Sequence, residues 1–195
     1  MAKSAIFRVD GGATVGFGHL VRCGALAGAL HDLGWRCGIA GTTITLDAIK
    51  KLNLVSNSAH LLQLSDGLTG DQEAAQLRSL APLGCDAFIV DHYQRDAAFH
   101  RRFAGWAEQI VTIHDMPTRA QACDVLIDTA VGRSSADWRP FIPSSARTFL
   151  GPQFALLRDT FAPLRWARGR SLSGPIRRCF VAVGATDPRG LLPLV

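Results

Sequence analysis

Short apolar runs alternate with helical patterns along the first 130 residues. Residues 4–9 (SAIFRV) predict a buried strand that ends at Asp10-Gly11-Gly12. Residues 19–33 predict a helix, because Leu20, Cys23, Ala27 and Leu30 recur at spacings of 3, 4 and 3 on one face. Gly34 is its natural stop. The pattern then predicts strands at 35–40 and 59–64, a short helix at 45–52, and a helix at 71–80 capped by Asp71. Residues 86–91 (DAFIVD) read as the clearest central strand, followed by a helix over 96–107 and strands at 109–114 and 124–128. Strands alternating with helices predict an α/β fold, a parallel, doubly wound sheet flanked by helices. Asp10, Asp91 and the His114-Asp115 pair all fall at strand ends. Ligands of open parallel sheets bind at the carboxyl ends of strands, so these residues define one candidate rim.

The texture changes after residue 140, with prolines at 140, 143, 152 and 163 and then an Arg/Gly/Ser-rich run. This divides the chain into a first domain over 1–164, a linker over 165–175 and the start of a second domain over 176–195. Within the last part, residues 177–183 predict a new first strand, followed by the turn Gly184-Ala185-Thr186-Asp187-Pro188. A strand, a turn and half a helix bury no core of their own. The expectation is therefore a truncated second domain, or a tail packed on the first.

Composition narrows the classes. Of 195 residues, 48% are hydrophobic and 19% charged, enough apolar material for a core and too little charge for a disordered chain. The net charge of +5 is partly local to Arg165, Arg168, Arg170, Arg177 and Arg178, and it suits phosphate-bearing partners. With few aromatics, it gives little reason to expect nucleic acid. No apolar run approaches the roughly 18–20 residues of a membrane span, and the N-terminus does not read as a signal peptide. Five cysteines without a CxxC pair argue for reduced thiols in a cytoplasmic protein.

The densest segment for chemistry runs from Asp10 to Arg22. Gly11, Gly12, Gly16 and Gly18 let the backbone approach a ligand closely between strand and helix. A dinucleotide fingerprint is excluded because its third glycine would fall at Val21, and a Walker A loop because no Gly-Lys-Ser/Thr follows. His19 stands in the first helical turn, where the macrodipole disfavours imidazolium and leaves a neutral base near pH 7. The other reading of His19 is a helix cap or a phosphate contact. Asp91 and Asp115 read either as turn-holding carboxylates or as an acid/base or metal pair. No spacing of His, Asp or Cys favours a metal. His92 reads as a hydrogen-bonded rim residue, and His100-Arg101-Arg102 as a solvated helix face.

Phe7-Arg8-Val9-Asp10-Gly11-Gly12 and Gly16-Phe17-Gly18-His19-Leu20-Val21-Arg22-Cys23 resemble the opening of the UDP-2,4-diacetamido-2,4,6-trideoxy-β-L-altropyranose hydrolases. These enzymes serve pseudaminic acid biosynthesis for bacterial surface glycans and are relatives of the peptidoglycan UDP-GlcNAc transferase. The resemblance continues at Ile89-Val90-Asp91-His92-Tyr93, at 123–128 (CDVLID), at 150–158 (LGPQFALLR) and at 183–188 (VGATDP). Where the family commonly has Asp-Asp, this chain has His114-Asp115.

The resemblance implies two Rossmann-like domains facing across a cleft, the GT-B arrangement, of which this chain is the N-terminal half. It implies that His19 activates water to cleave the anomeric C–O bond with inversion, releasing UDP, with no metal and no cofactor. Tyr93 would lie in the sugar pocket, and Gly184, Ala185 and Thr186 would approach the UDP phosphates. With the rim and the glycine loop, the expected substrate-binding set is Asp10, Gly11, Gly12, Gly16, Gly18, Arg22, Asp91, Tyr93, Asp115, Gly184, Ala185 and Thr186. The expected partner is the UDP-sugar, with neither nucleic acid nor membrane. The bare cleft face predicts self-association or a missing C-terminal domain. Two alternatives remain open on the residues alone. One is a glycosyltransferase in which His19 deprotonates a sugar hydroxyl; the other is a non-catalytic nucleotide-sugar-binding module.

Overall fold

A computed structural model describes residues 2–12, 15–56, 58–166, 174–175 and 177–181. Seven strands form one all-parallel sheet: β1 (Ser4–Val9), β2 (Arg36–Thr42), β3 (His60–Leu64), β4 (Cys85–Asp91), β5 (Ala107–Ile113), β6 (Val125–Asp128) and β7 (Arg147–Leu150). Their spatial order is β3-β2-β1-β4-β5-β6-β7. Helices α1 (Gly18–Asp32), α2 (Thr43–Lys51), α3 (Gly70–Leu80), α4 (Ala97–Arg101) and α5 (Ser135–Trp138) flank the sheet. The expected Rossmann-like α/β arrangement is thus present.

Both faces of the sheet are covered, which is why its central strands read as unbroken apolar runs. The period-2 alternation of a strand sends neighbouring residues to opposite sides. Ala5, Phe7 and Val9 pack with Leu20, Cys23 and Ala27 of α1 and with Leu46 and Ile49 of α2. Ile6 packs on the other side with Ala74 and Leu77 of α3. That second layer centres on Phe88, Phe103 and Trp106, with ring centroids 4.4–5.3 Å apart. Burying one such aromatic side chain is worth about 2 kcal/mol.

Several local expectations are corrected. Thr69 caps α3, not Asp71: its hydroxyl accepts from Gln72 N–H, and the Gln72 side chain accepts from Thr69 N–H in return. Asp71 lies in the first turn and pairs with Arg102. Helix α4 stops at Arg101 and does not run to 107, because the chain turns through Gly105, whose φ of +72° suits glycine, to enter β5. His100 is fully buried and does not belong to a solvated face; α4 turns Ala97, Phe99 and His100 inward. Strand β7 lies in the stretch whose prolines mark a change of texture, with α5 just ahead of it, and β7 extends the sheet parallel to β6.

Residues Asp159–Trp166 form 3-10 turns. The five described residues at 177–181, within the expected strand 177–183, are exposed and make no strand pairing. Gly184, Ala185 and Thr186 lie outside the described residues. Among the described residues, no helix is long and apolar enough to cross a membrane.

Candidate active site

The strand order reverses between β1 and β4. From β1 the chain winds outward through β2 and β3; from β4 it winds the other way through β5, β6 and β7. A crevice opens at the carboxyl ends of these two strands. The loop leaving β1 is pinned by paired backbone bonds between Gly12 and Gly16, at 3.1 and 2.7 Å, with Gly16 at φ +86°. Gly11 lies so close to α1 that a Cβ there would sit 2.4 Å from Leu20 Cγ. The absence of a side chain at Gly11 lets α1 dock on the strand end, and this brings His19 and Arg22, one turn apart, over Asp91.

Asp91 ends β4 and is buried. It accepts hydrogen bonds from His19 Nδ1 at 2.6 Å, from Arg22 Nε at 2.6 Å and Nη2 at 2.5 Å, and from Cys23 Sγ at 3.4 Å. It therefore binds side chains, where a turn-holding role would have it bind backbone amides. Burial works to raise the Asp91 carboxyl, but the hydrogen bonds from Arg22 and His19 outweigh it and hold the group below the usual carboxylate range. His19 Nδ1 and Arg22 Nη2 lie 3.1 Å apart because both donate to the same Asp91 oxygen. With the proton of Nδ1 committed to Asp91, Nε2 carries the ring's lone pair, and it has no hydrogen-bond partner among the described residues.

Arg22 ties the site together. Its Nη1 stands 3.7 Å from Asp115 Oδ2, which accepts from the Tyr93 hydroxyl at 3.2 Å. Asp91 and Asp115 are thus bridged by a guanidinium and do not face one another as an acid/base or metal pair. Tyr93 meets His19 edge-to-face at 4.8 Å and His114 at 5.4 Å. Burial, together with the neighbouring Asp115, pushes its phenol up to about 12.

A second imidazole–carboxylate pair occupies the other side of the sheet. His92 Nε2 lies 2.8 Å from Asp10 Oδ2, as the expected rim position of His92 required. Asp10 also accepts from Arg8, and Arg8 holds Glu73 at 2.6 and 3.2 Å while Arg95 holds the same Glu73. Arg8 and Glu73 are each 2% exposed, a buried ion pair that the sequence reading missed. Its only signal was a charged residue in the otherwise apolar run SAIFRV. Burial works to raise the Asp10 carboxyl, but hydrogen bonds from His92 and Arg8 bring it far below its ordinary value.

Asp10, Val15, His19, Asp91, His92, Tyr93 and Gln94 line a pocket of about 240 Å³. This is below the roughly 300–1,000 Å³ of pockets that enclose a whole drug-sized ligand, so it is a subsite open on one side. A pocket of about 230 Å³ lies at the opposite end of the sheet, by Trp35, Cys37 and His60. No imidazole–carboxylate pair lines it.

The structure therefore gathers Asp10, Gly11, Gly12, Gly16, Gly18, His19, Arg22, Asp91, Tyr93 and Asp115 of the expected set at one crevice. Fold and site define a Rossmann-like α/β domain with a histidine–aspartate pair at its topological switch point. No family model matches this chain, and no curated protein matches it.

Proposed function

We propose that this chain is the base-bearing N-terminal domain of a UDP-sugar hydrolase that cleaves the anomeric C–O bond of a UDP-linked diacetamido-trideoxy sugar in pseudaminic acid synthesis. The observation that carries the reading is the His19–Asp91 pair at the switch-point pocket. In this mechanism a water lies against His19 Nε2. As its oxygen attacks the anomeric carbon, Nε2 takes its proton, the C–O bond breaks and UDP departs with the bonding electrons. Asp91 holds Nδ1–H and faces the positive charge that forms on the ring. Arg22 keeps Asp91 ionised, so the proton stays on His19.

The resemblance of the glycine loop and of Asp91-His92-Tyr93 supports the substrate class. In the GT-B arrangement a second domain would cover the carboxyl rim. Val15, Ile44, Met116, Val131 and Leu157 are exposed apolar side chains on the loops and helix starts that follow the strands. Such a rim suits a covering domain or, without one, self-association. Five free cysteines suit a reducing, cytoplasmic setting.

The test is incubation of the chain, and of His19→Ala, with the UDP-linked diacetamido sugar in heavy-oxygen water. Mass spectrometry should find the label in the released sugar, and the variant should turn over about 10²–10⁴-fold more slowly. Label in the phosphate, or equal turnover by both forms, would overturn the mechanism. Transfer to an added sugar acceptor in place of hydrolysis would favour a glycosyltransferase. UDP-sugar binding without turnover, unaffected by His19→Ala, would favour a non-catalytic module.

A further inference from the structure

Two histidine–aspartate pairs border the same pocket, and they are crossed. His19 follows β1 and pairs with Asp91 at the end of β4; His92 follows β4 and pairs with Asp10 at the end of β1. Their chemistry differs. Of these two histidines, only His19 has a nitrogen without a partner among the described residues. His92 has both nitrogens engaged: Nδ1 accepts from Gln94 N–H at 3.0 Å, so the proton sits on Nε2 and is donated to Asp10. A histidine so committed has no lone pair to offer a substrate and no proton to give without breaking its anchorage.

The anchorage runs into the core. Asp10 is gripped by Arg8, Arg8 by Glu73 and Glu73 by Arg95, with Arg8 and Glu73 in the core. The end of β4 and the two residues after it carry Asp91 toward α1, His92 toward this ion network and Tyr93 back toward His19. Fixing His92 on one side therefore fixes where the Tyr93 ring falls on the other.

We propose that Asp10 and His92 form a latch, not a second acid–base pair, and that His92 is a positioning residue that sets Tyr93 against His19 and Asp115. What the latch serves rests on the hydrolase reading; the latch itself does not. The groups facing the Tyr93 ring and hydroxyl are His19, Arg22, Asp91, His114 and Asp115.

Tyr93 is the only tyrosine in the chain, so tyrosine labelled with carbon-13 at Cζ gives a single resonance that reports phenol ionisation. The parent protein, with its phenol raised to about 12, should be only about 3% phenolate at pH 10.5. In His92→Ala the ring loses its setting, its phenol returns toward the ordinary value near 10, and about three-quarters should be phenolate at that pH. His92→Asn keeps an acceptor for Gln94 N–H but cannot reach Asp10, so it isolates the latch contact in a milder variant. It should shift the titration in the same direction.

A folded His92→Ala or His92→Asn protein with the parent's resonance and titration would overturn the latch. If His92→Ala does not fold, His92→Asn decides. In turnover of the UDP-sugar, both variants should lower kcat more than they raise KM. Absence of turnover in every form, parent included, would count against the hydrolase reading, while the tyrosine resonance would still decide the latch.

Discussion

His100 gives the most quantitative test of the packing. Its ring is fully buried on the inner face of α4, and neither nitrogen has a hydrogen-bond partner among the described residues. Burial pushes its pKa down from 6.5 to about 4, with nearby Asp96 opposing and His114 and Arg101 assisting. The folded state therefore holds a neutral ring at pH values where the unfolded chain takes up a proton. Above pH 6.5 both states are neutral and His100 contributes no pH dependence. As pH falls below 6.5 the unfolded state is favoured by up to about 1.4 kcal/mol per pH unit, until the folded ring titrates near 4. The stability lost across this window is about 3 kcal/mol, a large part of the 5–15 kcal/mol typical of a domain.

His100→Leu removes the titration and the two unpartnered nitrogens at similar volume, so it should flatten this part of the profile and cost little at pH 7. Urea unfolding of both proteins at pH 7, 6, 5 and 4 checks it. Burial also lowers His114, which adds a dependence of the same sign that the variant retains. The carboxyls of Asp91, Asp10 and Glu73 are depressed below their ordinary values, so their stabilisation fades from about pH 5 downward, but it does so in both proteins alike and cancels in the comparison. Parallel pH profiles for the parent and His100→Leu would refute the assignment.

Other outcomes follow from single contacts. Asp91→Asn should lower turnover of the UDP-sugar by about 10²-fold while near-ultraviolet circular dichroism stays native, since the amide no longer holds Nδ1–H as a carboxylate does. Gly11→Ala should destabilise the domain by about 1–3 kcal/mol in urea unfolding, and the Gly11→Ala/Leu20→Ala double variant should lose less than the sum of the two single variants, because the new Cβ meets Leu20 at 2.4 Å. Thr69→Ala should cost about 1 kcal/mol through loss of the α3 cap, whereas Asp71→Ala, which loses only an exposed ion pair with Arg102, should lower the thermal midpoint less. Among the five thiols, exposed Cys179 should react at once with a disulfide reagent. Cys23, Cys37, Cys85 and Cys123 are buried and should react only on unfolding.

Much of the architecture was legible because parallel strands covered on both faces are continuous apolar runs. Residues 4–9 and 86–91 could hardly be anything else. Helix α4 was over-extended because Ala104 and Trp106 continue an apolar spacing, and only the turn at Gly105 stops it. Strand β7 was missed because an edge strand of four residues leaves too short a period to read. His100 reads as exposed because two arginines follow it, and local charge cannot show that α4 turns this position inward with Ala97 and Phe99. The candidate site was legible as a rim, through the residue types at strand ends, but its pairings were not.

The sequence by itself determined which residues arrive at the carboxyl ends of the strands, since strand period and glycine placement are local properties. It also placed His19 in the first turn of the helix after the glycine loop. Only the tertiary structure decided that His19 pairs with Asp91, 72 residues away, and His92 with Asp10, 82 residues away. Those partners depend on β1 and β4 lying side by side and on α1 closing over Gly11. Side-chain pairing at a switch point is a consequence of strand order, and strand order is set by the packing of the whole sheet.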